Sequence, residues 1–152
     1  MDIMTVWRPR QNIRVIAIGL NWRGRSILAM EVLDDAGRIK GVRPLGGGVE
    51  FGETWQQALA REYQEELGAE ILMSKTPLVM ENIYNHEGMT GHEIVFISDI
   101  EFANGTFEGQ DNITFSEDNG TECIARWFDL DTLDNGEIEL YPSGLKEILE
   151  AK

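Results

Sequence analysis

Residues 44–69 read PLGGGVEFGETWQQALAREYQEELGA, a run of glycines followed by an acid-rich segment with the pattern of a helix. Thr54 has the residue type and position of an N-cap, and Gly68 those of a C-terminal stop. An apolar residue recurs every four positions, the spacing of a stripe that packs on a core, at Leu59, Tyr63 and Leu67. The stretch predicts a glycine turn leading into a helix with one side packed.

The polar side of this helix carries carboxylates at positions i, i+3 and i+4, which are Glu62, Glu65 and Glu66. Like charges at this spacing destabilise a helix by a few tenths of a kcal/mol per pair, and a bound divalent cation would remove that cost. Mg²⁺ prefers carboxylate, carbonyl and water oxygens, and residues 46–48 are glycines that let backbone carbonyls approach a ligand closely. The pattern therefore predicts a site for Mg²⁺, or for Mn²⁺, on this side of the helix.

The spacing of the fixed residues is specific. Five residues separate Gly47 from Glu53, and seven more separate Glu53 from Arg61. From Gly47 to Ala69 the chain resembles the Nudix box, Gly-x5-Glu-x7-Arg-Glu-U-x-Glu-Glu-x-Gly-U, where U is a bulky aliphatic residue. All seven fixed positions are present, whereas the two U positions hold Tyr63 and Ala69. This departure concerns the packing of the helix more than its chemistry.

The Nudix resemblance implies an α/β fold, specifically an α/β/α sandwich with a mixed, partly antiparallel sheet. It also implies a Mg²⁺-dependent pyrophosphohydrolase acting on phosphoric anhydrides. The substrate class would be a nucleoside diphosphate linked to another group, as in a nucleoside triphosphate, a dinucleoside polyphosphate or a nucleotide sugar. The alternative is a Nudix-fold module that binds or senses a nucleotide without cleaving it, but such modules usually lose box carboxylates that this chain retains.

The resemblance also assigns roles within the box. It makes the Gly47 carbonyl a metal ligand together with three carboxylates, which are those of Glu62, Glu65 and Glu66. Glu53 is expected to support the metal shell, and Arg61 to orient the carboxylates rather than touch substrate. Glu62 is a candidate general base as well as a ligand. In many family members a glutamate on a later loop is the base instead, and here Glu122 is preferred over Glu117 and Glu108.

Three residues outside the box are predicted to bind substrate. Arg43 lies just before the glycine turn, where a guanidinium could hold a phosphate, although a surface role is also open. Arg23 belongs to the basic N-terminal portion, since residues 1–43 hold eight of the 13 Lys and Arg but only four of the 27 Asp and Glu. Tyr84 could stack on a base, and it follows the box by a distance at which some dinucleoside polyphosphate hydrolases of this family have a tyrosine.

Composition limits the remaining possibilities. A length of 152 residues predicts one domain over 1–152, with residues 1–11 as a possible loose leader. The net charge of −14 argues against long nucleic acids, and we expect a small nucleotide as the ligand of a monomer or homodimer. No apolar run approaches the roughly 20 residues of a membrane span, so no membrane association is expected. The lack of a signal peptide and the single Cys123 predict a cytoplasmic protein.

The rest of the chain predicts alternating strands and one further helix. Strands are expected at 13–20, 26–33, 38–43, 70–73, 78–84, 92–102 and 122–130, and a helix at 141–151. Residues 85–91 are expected to form a loop. The segment 103–121 is long, polar and rich in Gly, Asn and Asp, and we interpret it as a mobile flap beside the active site.

Overall fold

The structure is a computed structural model that describes residues 7–117 and 120–151. Within these residues the chain forms two α-helices, α1 (Trp55–Leu67) and α2 (Leu145–Glu150). The strands are β1 (Ile13–Arg23), β2 (Ser26–Leu33), β3 (Ile39–Pro44), β4 (Gly46–Gly48), β5 (Ile71–Met73), β6 (Leu78–His86), β7 (Met89–Phe102), β8 (Asn112–Ser116), β9 (Glu122–Asp129) and β10 (Glu139–Leu140).

The sheet is mixed and is built around a long parallel pair. β1 runs parallel to β7 from the Ile13–His92 pair to the Asn21–Ile100 pair. The strand order is β10-β3-β2-β1-β7-β5, and most of the other pairings are antiparallel. β4 pairs with β1, β6 with β7, and β8 with β9. The glycine turn is thereby attached directly to the central strand of the sheet.

The sheet is packed on both faces because side chains alternate along its strands. Ile16, Ile18 and Leu20 of β1 join one core cluster, which includes Leu145 of α2. Ala17, between them, joins a second cluster, which includes three residues of α1, namely Ala58, Leu59 and Tyr63. The helices therefore cover opposite faces, and the predicted α/β/α sandwich with a mixed sheet is confirmed.

The predicted ends of α1 are confirmed. Thr54 caps the helix, since its hydroxyl accepts a hydrogen bond from the Gln57 N–H while the Gln57 side chain accepts one from the Thr54 N–H. Gly68 ends the helix in the left-handed conformation, with φ of 62°. Leu59 and Tyr63 are buried, so the helix is fixed against the sheet along the predicted stripe.

Several predicted boundaries are wrong. β1 continues to Arg23 instead of ending at Leu20, and the loop predicted at 85–91 shrinks to a turn at Glu87 and Gly88 between β6 and β7. The C-terminal helix begins at Leu145 rather than Tyr141. Residues 103–121 contain a strand, β8, whose Ile113 and Phe115 belong to the second core cluster.

Two further expectations concern the termini and membranes. The predicted loose leader, 1–11, falls partly on residues 1–6, which lie outside the described residues. The described part of the leader contacts the body, because Trp7 lies against His86 and Arg8 pairs with Asp35. Across 7–117 and 120–151, no helix has the length and apolarity needed to cross a membrane.

Candidate active site

The glycine turn and α1 meet through Gly47 and Glu62. Gly47 lies in β4, opposite Ala17 of β1. A Cβ atom placed on Gly47 would lie 2.4 Å from Cδ of Glu62 and 2.5 Å from its Oε1. The Glu62 carboxylate therefore occupies the space that a side chain at position 47 would need. It is also buried, with Glu62 only 7% exposed, and a buried carboxylate needs a nearby positive charge or strong donors.

Arg61 supplies that positive charge. Its Nη1 donates to Oε1 of Glu62 at 2.9 Å and to Oε2 of Glu65 at 3.3 Å. Its Nε and Nη2 bind the two oxygens of Glu53 at 2.8 and 2.9 Å, and Nη2 also donates to the Gly48 carbonyl at 2.9 Å. One guanidinium thus ties together the start of the box, the glycine turn and the helix.

The Arg61 contacts hold Glu53 in its charged form. The hydrogen bonds from Arg61, followed by one from the Glu50 N–H, lower the pKa of Glu53 to about 2. Both Glu53 oxygens are engaged by Arg61, so Glu53 acts on the site through the arginine. This arrangement matches a supporting role better than direct binding of a ligand.

The other two carboxylates of the box differ in exposure. Glu65 is exposed, whereas Glu66 is half-buried near Tyr63, whose pKa is raised by burial and further by the Glu66 charge. Helical periodicity predicted that all three carboxylates would lie on the open side, but Glu62 turns under the helix toward Gly47. Across 7–117 and 120–151, no group of three or more His, Cys, Asp or Glu side chains is arranged to hold a metal ion.

The donor chemistry of the site nevertheless fits a hard cation. The Glu62 carboxylate lies against Gly47, Glu65 and Glu66 follow on the same helix, and all of these donors are oxygens. Two of these carboxylates, Glu62 and Glu65, share Nη1 of Arg61, so their negative charges converge on one point. Mg²⁺ is therefore compatible with the residues present, with Glu65 as the exposed member that can adjust.

A groove of about 700 Å³ opens beside these carboxylates. It is lined by residues that precede and begin β1, by the glycine turn and by α1, which are Asn12, Ile13, Arg14, Val15, Gly48, Val49, Glu50, Arg61, Glu62 and Glu65. The groove is large enough for a nucleotide-sized ligand. Its position brings any such ligand against the box carboxylates.

The predicted substrate residues Arg43 and Tyr84 do not line this groove. Arg43 borders a much smaller cavity of about 30 Å³, together with Glu93 and Tyr141. The Tyr84 ring lies over Gly91, where an added Cβ would be 2.2 Å from the ring carbon Cζ. Burial and the Glu93 charge raise the pKa of Tyr84, while the Arg14 and Arg43 charges oppose the rise.

The third predicted substrate residue, Arg23, is engaged elsewhere. It lies at the other end of β1, nine positions beyond Arg14, which is up to roughly 30 Å along an extended strand. Its guanidinium stacks 4.2 Å from the Trp127 ring centroid and donates to the Gln110 carbonyl at 2.7 Å and to Asp111 at 3.1 Å. Arg23 therefore links the segment before β8 to strand β1 through these contacts.

The alternation of side chains along β8 and β9 places two of the glutamates proposed as downstream bases, Glu117 and Glu122, on different faces. Glu117 follows the inward-facing Ile113 and Phe115 at the same spacing, and it lies beside the Cys123 thiol. Burial, then Glu117 and finally Glu66 raise the pKa of Cys123 to about 11. The Cys123 thiol is therefore close enough to feel the charges of both Glu117 and the box residue Glu66.

Glu122 and Glu108 lack that connection. Glu122 precedes Cys123 in β9 and so points to the opposite face, where Ile124 is 53% exposed. Glu108 belongs to the turns after β7, and its carboxylate lies beside Gly105. Of the three glutamates, Glu117 is the one whose charge acts on the Cys123 thiol together with that of the box residue Glu66.

The fold and the residues around Gly47 define a class of protein, an α/β/α sandwich whose candidate active site is a box of glycine, arginine and glutamates. The model of the NUDIX domain matches residues 11–151. The chain belongs to the Nudix family, and its class is that of the Nudix hydrolases, which act on phosphoric anhydrides.

Solved structures show the same fold. The E. coli ORF135 protein is 20% identical over 91% of this chain and 89% of its own, with a TM-score of 0.59. A MutT Nudix hydrolase from Burkholderia pseudomallei is 24% identical over 80% of this chain and 86% of its own, with a TM-score of 0.52. No curated protein matches the chain significantly. At these identities the similarity establishes the fold.

Proposed function

We propose that this protein hydrolyses a diphosphate linkage in a small nucleotide, a nucleoside diphosphate joined to another group, with Mg²⁺ or Mn²⁺ as the cofactor. One observation carries the proposal. The Glu62 carboxylate packs against Gly47 at the edge of an open groove, and a hydrogen bond from Arg61 holds it there. A buried carboxylate at a groove edge is positioned to act on a ligand there. We expect the enzyme to work in the cytoplasm.

The metal would be held by the Gly47 carbonyl and the carboxylates of Glu62, Glu65 and Glu66. When bound, it supplies a water of lowered pKa and neutralises phosphate oxygens. Arg61 keeps Glu62 and Glu65 converged, and Glu53 keeps Arg61 in place through two hydrogen bonds. Without a cation, the groove carboxylates would repel a polyphosphate, so substrate and metal should bind together.

A carboxylate is also needed to take the proton of the attacking water. Glu62 is one possibility within the box. Of the downstream glutamates we favour Glu117 over Glu122, because Glu117 faces the box helix through Cys123 and Glu122 faces away. Replacing Glu117 with Gln should then lower kcat more than replacing Glu122, and general-base losses are typically about a hundredfold or more.

For the remainder of the substrate we retain Arg43 and Tyr84. Both are near Glu93, and Arg43 and Glu93 border a cavity with Ile16 and Ile18, which face α2 rather than the box helix. Arg43 would bind phosphate, and Tyr84 the nucleoside base. Arg23 is left out of the proposed site because Asp111, Gln110 and Trp127 already hold its guanidinium.

The test is a panel of nucleoside triphosphates, dinucleoside polyphosphates and nucleotide sugars assayed with Mg²⁺ or Mn²⁺. Phosphate release is measured with and without added phosphatase, which distinguishes the products. We expect turnover of at least one class, loss of turnover in EDTA, and a tenfold to hundredfold fall in E65Q and in E66Q, roughly the loss seen for impaired metal sites.

Two results would contradict the proposal in different ways. Full turnover after metal removal would mean that hydrolysis does not depend on the box carboxylates in the way described. Tight nucleotide binding without turnover of any panel member would favour the non-catalytic binding module instead.

A further inference from the structure

The groove beside the box contains two guanidiniums with different partners. Arg61 is committed to Glu53, Glu62, Glu65 and the Gly48 carbonyl. Arg14, exposed near the start of β1, makes no hydrogen bond or ion pair with any residue in 7–117 or 120–151. It is therefore the one groove cation whose charge is available to a ligand from within the described part of the chain.

The glycine turn makes room for the Arg14 side chain. A Cβ atom on Gly48 would lie 3.0 Å from Nη2 of Arg14, so the guanidinium lies directly over this glycine. Adjacent glycines thus accommodate opposite charges, with the Glu62 carboxylate against Gly47 and Arg14 against Gly48. A ligand in the groove would meet both groups.

The neighbouring strand could have neutralised Arg14 but does not. Arg14 is in register with Glu93 of the parallel strand β7, and Glu93 is in register with Asn82 of β6. Glu93 accepts a hydrogen bond of 3.2 Å from Nδ2 of Asn82, and both residues are buried. Asn82 therefore engages the carboxylate beside Arg14, while the guanidinium is directed toward the glycine turn.

We propose that Arg14 is a substrate-binding residue that holds the diphosphate of the nucleotide over Gly48, across the groove from the box carboxylates. This inference rests on the proposed function and adds a residue that the family resemblance did not assign. A guanidinium binds phosphate oxygens in a bidentate manner. The other charged side chains that line the groove are Glu50, Glu62, Glu65 and Arg61, and Arg61 is already paired with the carboxylates, so a polyanion needs the charge of Arg14.

The experiment compares wild type with R14A, R14K and the control R10A. Arg10 is also exposed and close in sequence, but it does not line the groove, so R10A removes the same charge outside the site. Binding of methylene-bridged, non-hydrolysable nucleoside triphosphates is measured by calorimetry, in EDTA and with Mg²⁺. kcat/KM is measured on the nucleotide that the panel identifies.

We expect R14A to weaken analogue binding and kcat/KM by about tenfold to a hundredfold, as for loss of a charged hydrogen bond. R14K should recover part of this loss, R10A should stay within twofold of wild type, and the Tm of R14A should stay within about 2 °C because Arg14 is exposed and unpaired.

R14A values within twofold of wild type would overturn the role of Arg14 while leaving the proposed hydrolysis intact. If wild type binds the analogue but hydrolyses nothing, and R14A loses binding, the role of Arg14 stands and hydrolysis fails. If wild type neither binds nor hydrolyses any panel member, both are rejected.

Discussion

Gly47 and Gly48 are adjacent, yet a methyl group added at each would meet a different neighbour. In G47A it would lie 2.4 Å from Cδ of the buried Glu62, which has little room to move. In G48A it would lie 3.0 Å from Nη2 of Arg14, the free end of a flexible side chain. We expect G47A to lower kcat/KM at least tenfold to a hundredfold and stability by about 1–3 kcal/mol.

G48A should have a clearly smaller effect on both quantities, because Arg14 can shift without unfolding anything. The measurements are kcat/KM and urea unfolding of the two variants. Equal losses in G47A and G48A would show that the contact between Gly47 and Glu62 does not organise the site.

Glu53 gives a pH-dependent prediction. Its pKa falls from an ordinary 4.5 to about 2 in the folded protein, so its charged form is favoured by folding. The stability that this carboxylate contributes is present above about pH 4.5 and is lost as the pH falls toward about 2. E53Q should therefore have a lower Tm than wild type at pH 7, and the difference should shrink below pH 4.5. A difference that stays constant down to pH 2.5 would contradict the ion pair with Arg61.

Sequence alone predicted the residue types of the box but not their burial. Residues 62, 65 and 66 lie close together on a helical projection, so periodicity placed their carboxylates on one open face. Glu62 borders the apolar stripe, and only the position of β4 beneath it directs its carboxylate to Gly47. Arg14 was missed because the sequence IRVIAIGL has the pattern of a strand that is buried throughout. In the structure the first three residues of this strand, 13–15, are exposed.

At the scale of elements, the main difference from the sequence prediction is β8. The polar residues around it give 103–121 the composition of a loop. The signal for a strand is short, with Ile113 and Phe115 alternating with Asn112, Thr114 and Ser116, and it lies within a turn-rich segment. Pairing with β9 supplies the hydrogen bonds that make so short a strand stable, and such long-range pairing is invisible to local patterns.

The role of β8 can be tested by comparing neighbouring residues on its two faces. Phe115 is 4% exposed within the cluster under α1, so F115A should cost about 3–5 kcal/mol. Thr114 is exposed, and T114A should change the free energy of unfolding by less than about 0.5 kcal/mol. The measurement is urea unfolding at pH 7. Similar small changes in both variants would mean that this segment is a mobile flap after all.

At the scale of the whole molecule, acidic residues dominate, with 27 Asp and Glu against 13 Lys and Arg. The unfavourable repulsion among them is screened by any salt, since the Debye length is about 10 Å at 0.1 M. NaCl alone should therefore raise the Tm of the metal-free protein. A Mg²⁺ site in the box should add a further, saturable rise at the same ionic strength.

The size of the additional rise follows from mass action. At ten times the dissociation constant, a bound ion stabilises the folded state by about 1.4 kcal/mol, which raises the Tm by about 3–6 °C in a protein of this length. The E65Q/E66Q double variant should lose this rise and keep the NaCl response. The matched control, E147Q/E150Q on α2, removes the same charge far from the groove and should keep both. Equal Mg²⁺ responses in the two double variants would show that the ion only screens the acidic surface, because a box site requires Glu65 and Glu66 while general screening depends on total charge alone.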